Sequence, residues 1–199
     1  MKIRKIRPEE SDLVRKILGD AFADDPIMRY TLPNIEYYGK YFEDIFLKQF
    51  CKYGLSIITE NLNAIALWLP PKVKLQIPSL PFLLGWGYHF YRDRNGLSDM
   101  LLVNRIITSW EKAKPTVDHY YLLAVGVLEN DKGKGIGSKL IKESLNIYDA
   151  EEKAAYLENT NIKNIPFYEN LGFKLVGDYQ FAENSPKTYF MFRDGKSYS

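Results

Sequence analysis

Apolar residues recur along the chain in two rhythms, one typical of strands and the other typical of helices. In residues 3–7 they are interspersed with basic residues, which predicts a first strand. In residues 13–18 they recur at helical spacing, and in residues 36–53 they follow one face of a longer helix. We expect that helix to end at Gly54, because glycine is a common C-terminal cap.

Two short apolar runs, residues 55–60 and 64–69, are joined by a polar turn, which predicts a β-hairpin. Residues 72–114 have no clear strand pattern. Spaced apolar positions in residues 80–91 and 97–110 instead predict two helices there. We therefore expect a helical insertion at about 72–114.

Strands and helices alternate in the last third of the chain. The predicted elements are a strand at 119–128, a glycine-rich turn, a helix at 138–148, a strand at 154–158, a helix at 164–170, and strands near Phe173 and Tyr189. There is no internal repeat and no low-complexity segment. These features predict a mixed α/β fold in a single domain spanning residues 1–199.

The composition limits the classes of partner. With 199 residues, 46% of them hydrophobic, the chain suits one domain with a sizeable core. A net charge of +2 provides no broad field for nucleic acid or an anionic membrane, so we expect neither partner. No secretory signal or membrane-length apolar run is evident, and the single cysteine, Cys51, allows no internal disulfide. We expect a cytoplasmic protein with Cys51 buried.

Three alternating glycines, Gly133, Gly135 and Gly137, lie between an apolar strand and an amphipathic helix. Glycines allow backbone N–H groups to converge on one point, and the following helix start carries partial positive charge, so the segment predicts a phosphate-binding loop. Lys132 and Lys134 would add to that potential. The alternative is an ordinary glycine-rich turn with solvated lysines.

Two other phosphate loops fit less well. A Walker motif needs Ser or Thr after Gly-Lys, but Gly135 follows Lys134. A dinucleotide fold would use an acidic ribose ligand about 20 residues after its loop, and Glu158 is near that offset. However, the loop comes late in the chain, so a nucleotide-dependent enzyme stays a secondary hypothesis.

Residues 132–137 (KGKGIG) resemble the coenzyme A loop of the Gcn5-related N-acetyltransferase (GNAT) superfamily, with Lys132 where that loop has Gln or Arg. The preceding residues 119–127 resemble the branch that includes puromycin acetyltransferase. Residues 156–173 resemble the second family signature, in which Asn is followed by Phe-Tyr and Leu-Gly-Phe. The specific similarity covers about residues 117–177.

This resemblance implies a mainly antiparallel central sheet flanked by helices and splayed where the cofactor enters. It also implies transfer of acetyl from acetyl-CoA to a primary amine of a small molecule or peptide by direct attack, without a metal. The acceptor would lie against residues 22–30 and the strand end at Trp68, and the aromatic content favours a small amine with apolar bulk. We expect a monomer or homodimer.

The resemblance also implies a set of cofactor-binding residues. The backbone from Val125 to Val127 would hold the pantetheine arm, and the N–H of Val127 would polarise the thioester oxygen. The full implied set is Val125, Gly126, Val127, Lys132, Gly133, Lys134, Gly135, Ile136, Gly137, Ser138, Asn164 and Tyr168. Asn164 is also expected to cap the following helix.

Tyr168 matches the family tyrosine that protonates the leaving thiolate, and the alternative is an aromatic that packs on the helix face. His119 is the candidate general base. Strand alternation would place it on one face with Tyr121, Leu123 and Val125. A histidine with a purely structural role is the alternative.

Glu60, Asp24 and Asp25 are further candidates for the base. A rival function is a non-catalytic acyl-CoA sensor or interaction module with the same fold. Two isolated histidines and one cysteine do not indicate a metal site.

Overall fold

The computed structural model describes residues 1–32, 34–75 and 96–195. Within those ranges seven strands form one sheet, in the order β1-β2-β3-β4-β5-β7-β6. The strands are β1 (Ile3–Lys5), β2 (Ile57–Thr59), β3 (Ala64–Leu69), β4 (His119–Val127), β5 (Ala154–Asn159), β6 (Lys174–Tyr179) and β7 (Thr188–Arg193). Among these strands β4 and β5 pair in parallel, and the other neighbours pair antiparallel. The predicted mixed, mainly antiparallel sheet is confirmed.

Helices flank this sheet. They are α1 (Ser11–Ala21), α2 (Pro26–Thr31), α3 (Glu36–Ile45), α4 (Gly96–Ala113), α5 (Ile136–Ala150) and α6 (Ile165–Glu169). Beyond α3 the chain continues through a π-helical turn, Phe46–Phe50, and a 3₁₀ turn, Cys51–Tyr53. It ends at Gly54 in the left-handed region, as the apolar pattern predicts. Cys51 is only partly buried, and its Sγ contacts the carbonyl oxygen of Leu47.

Two hydrophobic clusters lie on opposite faces of the sheet. On one face α1, α3 and α4 bury side chains such as Leu18, Phe42 and Ile107. On the other face α5 and α6 bury Leu145 and Tyr168 among their neighbours. This two-sided burial explains why β3 is apolar at every position, since a strand covered on both faces has no solvent side.

The helix α1 approaches β4 very closely. A Cβ built on Gly126 would lie 2.7 Å from Cδ2 of Leu18 and 2.9 Å from Cβ of Ala21. Both distances are shorter than a real carbon contact. Gly126 is therefore needed at this position so that α1 can pack against the sheet.

A β-bulge in β4 changes which face its side chains occupy. Leu67 is opposite Ala124 and Trp68 is opposite Leu122, so Leu123 is an extra residue in the ladder. Tyr121 packs on the α1 face, whereas Val125 packs on the α5 face. The predicted single face from His119 through Val125 is wrong, because strict alternation holds only without a bulge.

The parallel strands β4 and β5 separate partway along their length. They pair from His119 to Leu122 on β4, against Ala154 to Leu157 on β5. Beyond that point β4 stays bonded to β3 as far as Val127, and β5 stays bonded to β7. The predicted splay is confirmed, and a cleft opens between the two strand ends.

The middle of the chain is only partly described. Helix α4 confirms the helix predicted at 97–110, whereas the helix predicted at 80–91 lies outside the described residues. A single domain with an insertion at about 72–114 stays a prediction. None of the helices in the described ranges is long and apolar enough to cross a membrane.

A buried ion pair ties α5 to the last strand. Arg193 donates two hydrogen bonds to the carboxylate of Asp149, at 2.6 and 2.7 Å. Both residues are almost fully buried, at 8% and 2% exposure. A bidentate pair in this setting is stable only if both partners are present, because either charge alone would be buried without compensation.

Candidate active site

The cleft between the separated ends of β4 and β5 has a volume of about 600 Å³. That size is typical of a small-molecule site. Its walls are the glycine loop with the first turn of α5, the upper half of β4, the end of β5, α6, and the connection from α1 to α2. Most of the predicted cofactor-binding residues line it, namely Val125, Val127, Lys132, Gly133, Gly135, Ile136, Gly137, Ser138, Asn164 and Tyr168.

The glycine loop forms one end of the cleft. Gly133 and Gly135 have φ angles of 76° and 73°, in the left-handed region that favours glycine. A Cβ at either position would meet no atom within 4 Å, so backbone conformation alone demands glycine there. Helix α5 begins directly after, at Ile136, and its first-turn N–H groups have no intrahelical partners. The arrangement is suited to binding a phosphate group.

The lysines of the loop are paired with acids of the same loop. Lys132 lies 2.5 Å from Glu129, and Lys134 lies 2.7 Å from Asp131. Asn63 also donates to Asp131, and together with Lys134 it lowers the pKa of that carboxyl. The positive potential that these lysines were expected to add to the loop is therefore largely cancelled by the neighbouring acids. Attraction for an anion comes mainly from the backbone N–H groups and the helix start.

Tyr168 faces the cleft from α6 and is only 9% exposed. Its ring packs edge-on against Phe167 and Phe173. Tyr168 therefore contributes to the core and also lines the cleft. Burial, assisted by the negative charge of Asp25, raises the pKa of the Tyr168 phenol above its usual value. The hydroxyl is therefore held in the protonated form, which a proton donor requires.

Asn164 does not cap α6, although it stands at the N-cap position. Its backbone is helical, with φ −88° and ψ −8°, and its side chain makes no capping hydrogen bond. Asn161 accepts a hydrogen bond from the N–H of Lys163 in the preceding turn instead. The capping prediction is wrong, because a cap needs an extended backbone. The Asn164 side chain borders the cleft.

Three predicted residues do not line the cleft: His119, Gly126 and Lys134. His119 precedes Leu122, where the cleft begins, by three residues, or about 10 Å of strand. Its Nδ1 lies 2.7 Å from the carbonyl oxygen of Val117, and its ring packs edge-on against Tyr156. Burial lowers its pKa. The structural role is the one that these contacts support.

Glu158 is an acid at the site that the sequence patterns did not single out as a base. It lines the cleft from the end of β5, and both carboxylate oxygens are buried without a well-formed hydrogen bond to any described residue. The Tyr121 and Tyr156 hydroxyls and Lys114 are the neighbours that favour its charge, but burial outweighs them and raises the pKa of Glu158 to about 7. An acid ending a buried apolar strand is the signal that could have found it.

Asp24 and Asp25, the other acidic candidates at the cleft, already have hydrogen-bond or ion-pair partners. Asp25 caps α2 by accepting from the N–H groups of Ile27 and Met28, and its second oxygen accepts from the hydroxyl of Thr160. Asp24 is exposed and paired with Arg29. Both carboxylates line the cleft, but each already has these partners, whereas the oxygens of Glu158 have no well-formed hydrogen bond to any described residue.

Two other expected site residues lie outside the cleft. Glu60 is largely exposed, next to Lys2. Trp68 is fully buried on the α5 face, edge-on to Tyr148. Trp68 therefore does not line the cleft, and its expected place beside the acceptor stays a prediction. Phe22 does line the cleft, as expected. No cluster of three or more metal-ligating side chains occurs among the described residues.

Comparison with known proteins agrees with this geometry. Residues 98–175 match the model of the acetyltransferase (GNAT) domain. An uncharacterized N-acetyltransferase of Schizosaccharomyces pombe is 29% identical over 185 residues, covering 87% of this chain and 74% of the relative. Over these residues the chain is similar to N-acetyltransferases with a GNAT domain.

Solved structures share the architecture. The structure of histone acetyltransferase HPA2 and related acetyltransferase from Corynebacterium glutamicum superposes with a TM-score of 0.65 at 20% identity, covering 98% of this chain and 97% of that one. Arylalkylamine N-acetyltransferase 2 from Aedes aegypti gives 0.65 at 16% identity, covering 98% and 99%. At these identities the likeness concerns the fold, and the chain has the GNAT fold.

Proposed function

We propose that this protein is an N-acetyltransferase that transfers acetyl from acetyl-CoA directly to a primary amine of a small molecule or peptide. The observation that carries the proposal is the combination of groups along one cleft. A phosphate-binding loop lies at one end, and a buried phenol, Tyr168, and a buried carboxyl, Glu158, line the same cleft. A simple binding module has no need of both a proton donor and a proton acceptor.

The residues present fit acetyl-CoA. The left-handed glycines and the first turn of α5 would hold the pyrophosphate, and the free backbone edge of β4 from Val125 to Val127 would hold the pantetheine arm. When bound, acetyl-CoA supplies an activated acetyl thioester. The N–H of Val127 is the proposed donor to its carbonyl oxygen.

Glu158 is the proposed general base, in place of His119. A carboxyl with a pKa of about 7 is ionised in a large fraction of molecules near neutral pH and can still accept a proton. It takes a proton from the attacking ammonium, directly or through one water, so that the nitrogen lone pair can form the new C–N bond. Tyr168 donates its proton to the sulfur as the C–S bond breaks. The nitrogen loses two protons in all. Glu158 takes the first from the ammonium and passes it to solvent, and the second leaves as the tetrahedral intermediate collapses, which balances the proton that Tyr168 gives to the sulfur.

The test is calorimetric titration with acetyl-CoA, CoA, ATP and NAD, together with thiol release measured with and without a panel of primary amines. Selective binding of acetyl-CoA and amine-dependent thiol release support the proposal. Tight binding of acetyl-CoA without release from any amine favours the acyl-CoA sensor. Binding of ATP or NAD in preference to CoA would contradict both and favour a nucleotide-dependent enzyme.

Some finer features stay expectations. The likeness to the puromycin acetyltransferase branch, a cytoplasmic location, and a monomeric or homodimeric state belong with this proposal. Size-exclusion chromatography with light scattering reports the last of these.

A further inference from the structure

A second cavity lies between helix α4 and the β6–β7 hairpin, with a volume of about 500 Å³. The proposed mechanism does not use it. The helix contributes Arg105, Ser109 and Lys112 to its wall, and the hairpin contributes Tyr179, Phe181 and Phe190. A cavity of this size accommodates a small organic molecule.

The α4 residues in this wall share one helix face. Arg105, Ser109 and Lys112 are spaced four and three apart, so they line up along the helix. Ile106 and Ile107, which point away from that row, are buried in the core. The polar face is therefore held toward the cavity by the packing of the apolar one.

The cavity has an excess of positive charge. Arg105 and Lys112 make no ion pair with any residue in the described ranges. The acid in the wall, Asp178, is already paired with Lys187 at 3.1 Å. Two cations next to aromatic side chains are suited to an anionic group on an aromatic or apolar body.

The cavity also adjoins the proposed base. Phe190 lines it and is the direct cross-strand partner of Glu158, so the two side chains leave the sheet on the same face. Glu158 lines the acetyl-CoA cleft, and Phe190 lines the second cavity. The two spaces are therefore lined by neighbouring residues on the same face of the sheet.

We infer that the cavity between α4 and the β6–β7 hairpin binds the body of the acceptor, and that the acceptor is a small aromatic amine carrying an anionic group. The amine reaches Glu158 past Phe190, while Arg105 and Lys112 bind the anion at the other end. That the amine points toward Glu158 rests on the proposed acetyl transfer. Binding of the anionic aromatic compound in the cavity is a separate prediction, which does not depend on acetyl transfer.

The experiment compares two acceptors of nearly the same shape, 4-(2-aminoethyl)benzoate and the neutral 4-(2-aminoethyl)benzamide. We expect kcat/KM for the carboxylate to exceed that for the carboxamide by about tenfold or more, because charged hydrogen bonds are the stronger ones. In the double variant Arg105→Gln, Lys112→Gln the ratio should approach one. Lys142→Gln removes an exposed charge from α5, on the opposite face, and should leave the ratio unchanged.

Equal use of the two compounds by the native protein, or a preference that persists in the double variant, would overturn the inference. Calorimetry with the same compounds covers the case in which neither is acetylated. Selective binding of the carboxylate that the double variant loses would then support the cavity site and count against acetyl transfer. Equal binding of the carboxylate and the carboxamide, or no binding of either, would refute the site, whether or not the protein proves to be an acetyltransferase.

Discussion

Thr160 donates a hydrogen bond to Asp25 and so joins the end of β5 to the start of α2. Both residues line the cleft, and Asp25 is largely buried and caps α2 with its other oxygen. Its charge also acts on Tyr168. One hydrogen bond therefore connects two walls of the cleft close to the proposed proton donor.

Replacement of Thr160 by Val should lower the free energy of unfolding by about 1–3 kcal/mol, because one buried oxygen of Asp25 loses its partner. Chemical denaturation measures this loss. Ser138→Ala is a control that also removes one hydroxyl from the cleft without touching Asp25. Equal stability of the two variants would show that the link between β5 and α2 contributes little.

Replacement of Glu158 by Gln should reduce the rate of acetyl transfer by about 10²–10⁴-fold, because the amide cannot accept the proton. In the native protein the rate should rise with pH through about 7, as the carboxyl ionises. The variant should lose that limb of the profile. Glu60→Gln, at an exposed carboxyl outside the cleft, is the control. A native profile that lacks a limb near pH 7 would contradict the assignment of Glu158.

The same substitution should stabilise the fold at high pH. Burial penalises the charged form of Glu158, so its pKa in the folded state, about 7, lies above the ordinary value of 4.5. The penalty is absent below pH 4.5, where the group is protonated in both states. It grows as pH rises to about 7, where it reaches roughly 3 kcal/mol. Unfolding at pH 4 and pH 8 should show Glu158→Gln gaining stability over the native protein only at the higher pH.

Replacement of Tyr168 by Phe should lower kcat by about 10²–10⁴-fold while leaving the affinity for acetyl-CoA nearly unchanged, because only the proton donor is removed. Single-turnover thiol release and calorimetry separate the two effects. Tyr53→Phe, at a tyrosine outside both the cleft and the second cavity, is the matched control. A Tyr168→Phe enzyme with native kcat would assign the phenol a packing role only.

Replacement of Gly135 by Ala should weaken acetyl-CoA binding by about 5- to 30-fold, since the left-handed backbone costs an L-residue about 1–2 kcal/mol. Lys134→Gln should weaken it by about threefold or less, because that lysine is exposed and already paired with Asp131. Calorimetric titration of both variants gives the ratio. A larger effect from the lysine would mean that side-chain charge, rather than the backbone, holds the pyrophosphate.

Replacement of Asp149 by Ala should cost about 3–5 kcal/mol, because it leaves Arg193 charged and buried. Lys187→Gln breaks an exposed pair with Asp178 and should cost less than about 1 kcal/mol. Thermal unfolding compares the two. Similar melting temperatures for both variants would show that solvent reaches the Arg193 guanidinium.

Local patterns in the sequence predicted the elements that depend on neighbouring residues. Spacing of apolar positions predicted the hairpin of β2 and β3, a helix ending at Gly54, and helix α4, but not the π-helical and 3₁₀ turns that follow α3. The glycine loop was recognisable because a left-handed backbone restricts the residue type at each position, whatever the rest of the fold does.

Register and burial decided the rest. The bulge at Leu123 depends on how β4 meets β3, and no pattern within β4 reveals it. The pairing of Lys134 with Asp131 depends on the shape of the loop, and it changed the expected source of anion attraction.

The sequence by itself determined the class of fold, the left-handed glycine loop and the place of Tyr168 on the helix that follows β5, because each depends on residues close together in the chain. Only the tertiary structure separated His119 from the cleft and placed Glu158 within it. The reason is that burial changes the chemistry of a carboxyl, and burial depends on strands and helices that are far apart in the sequence.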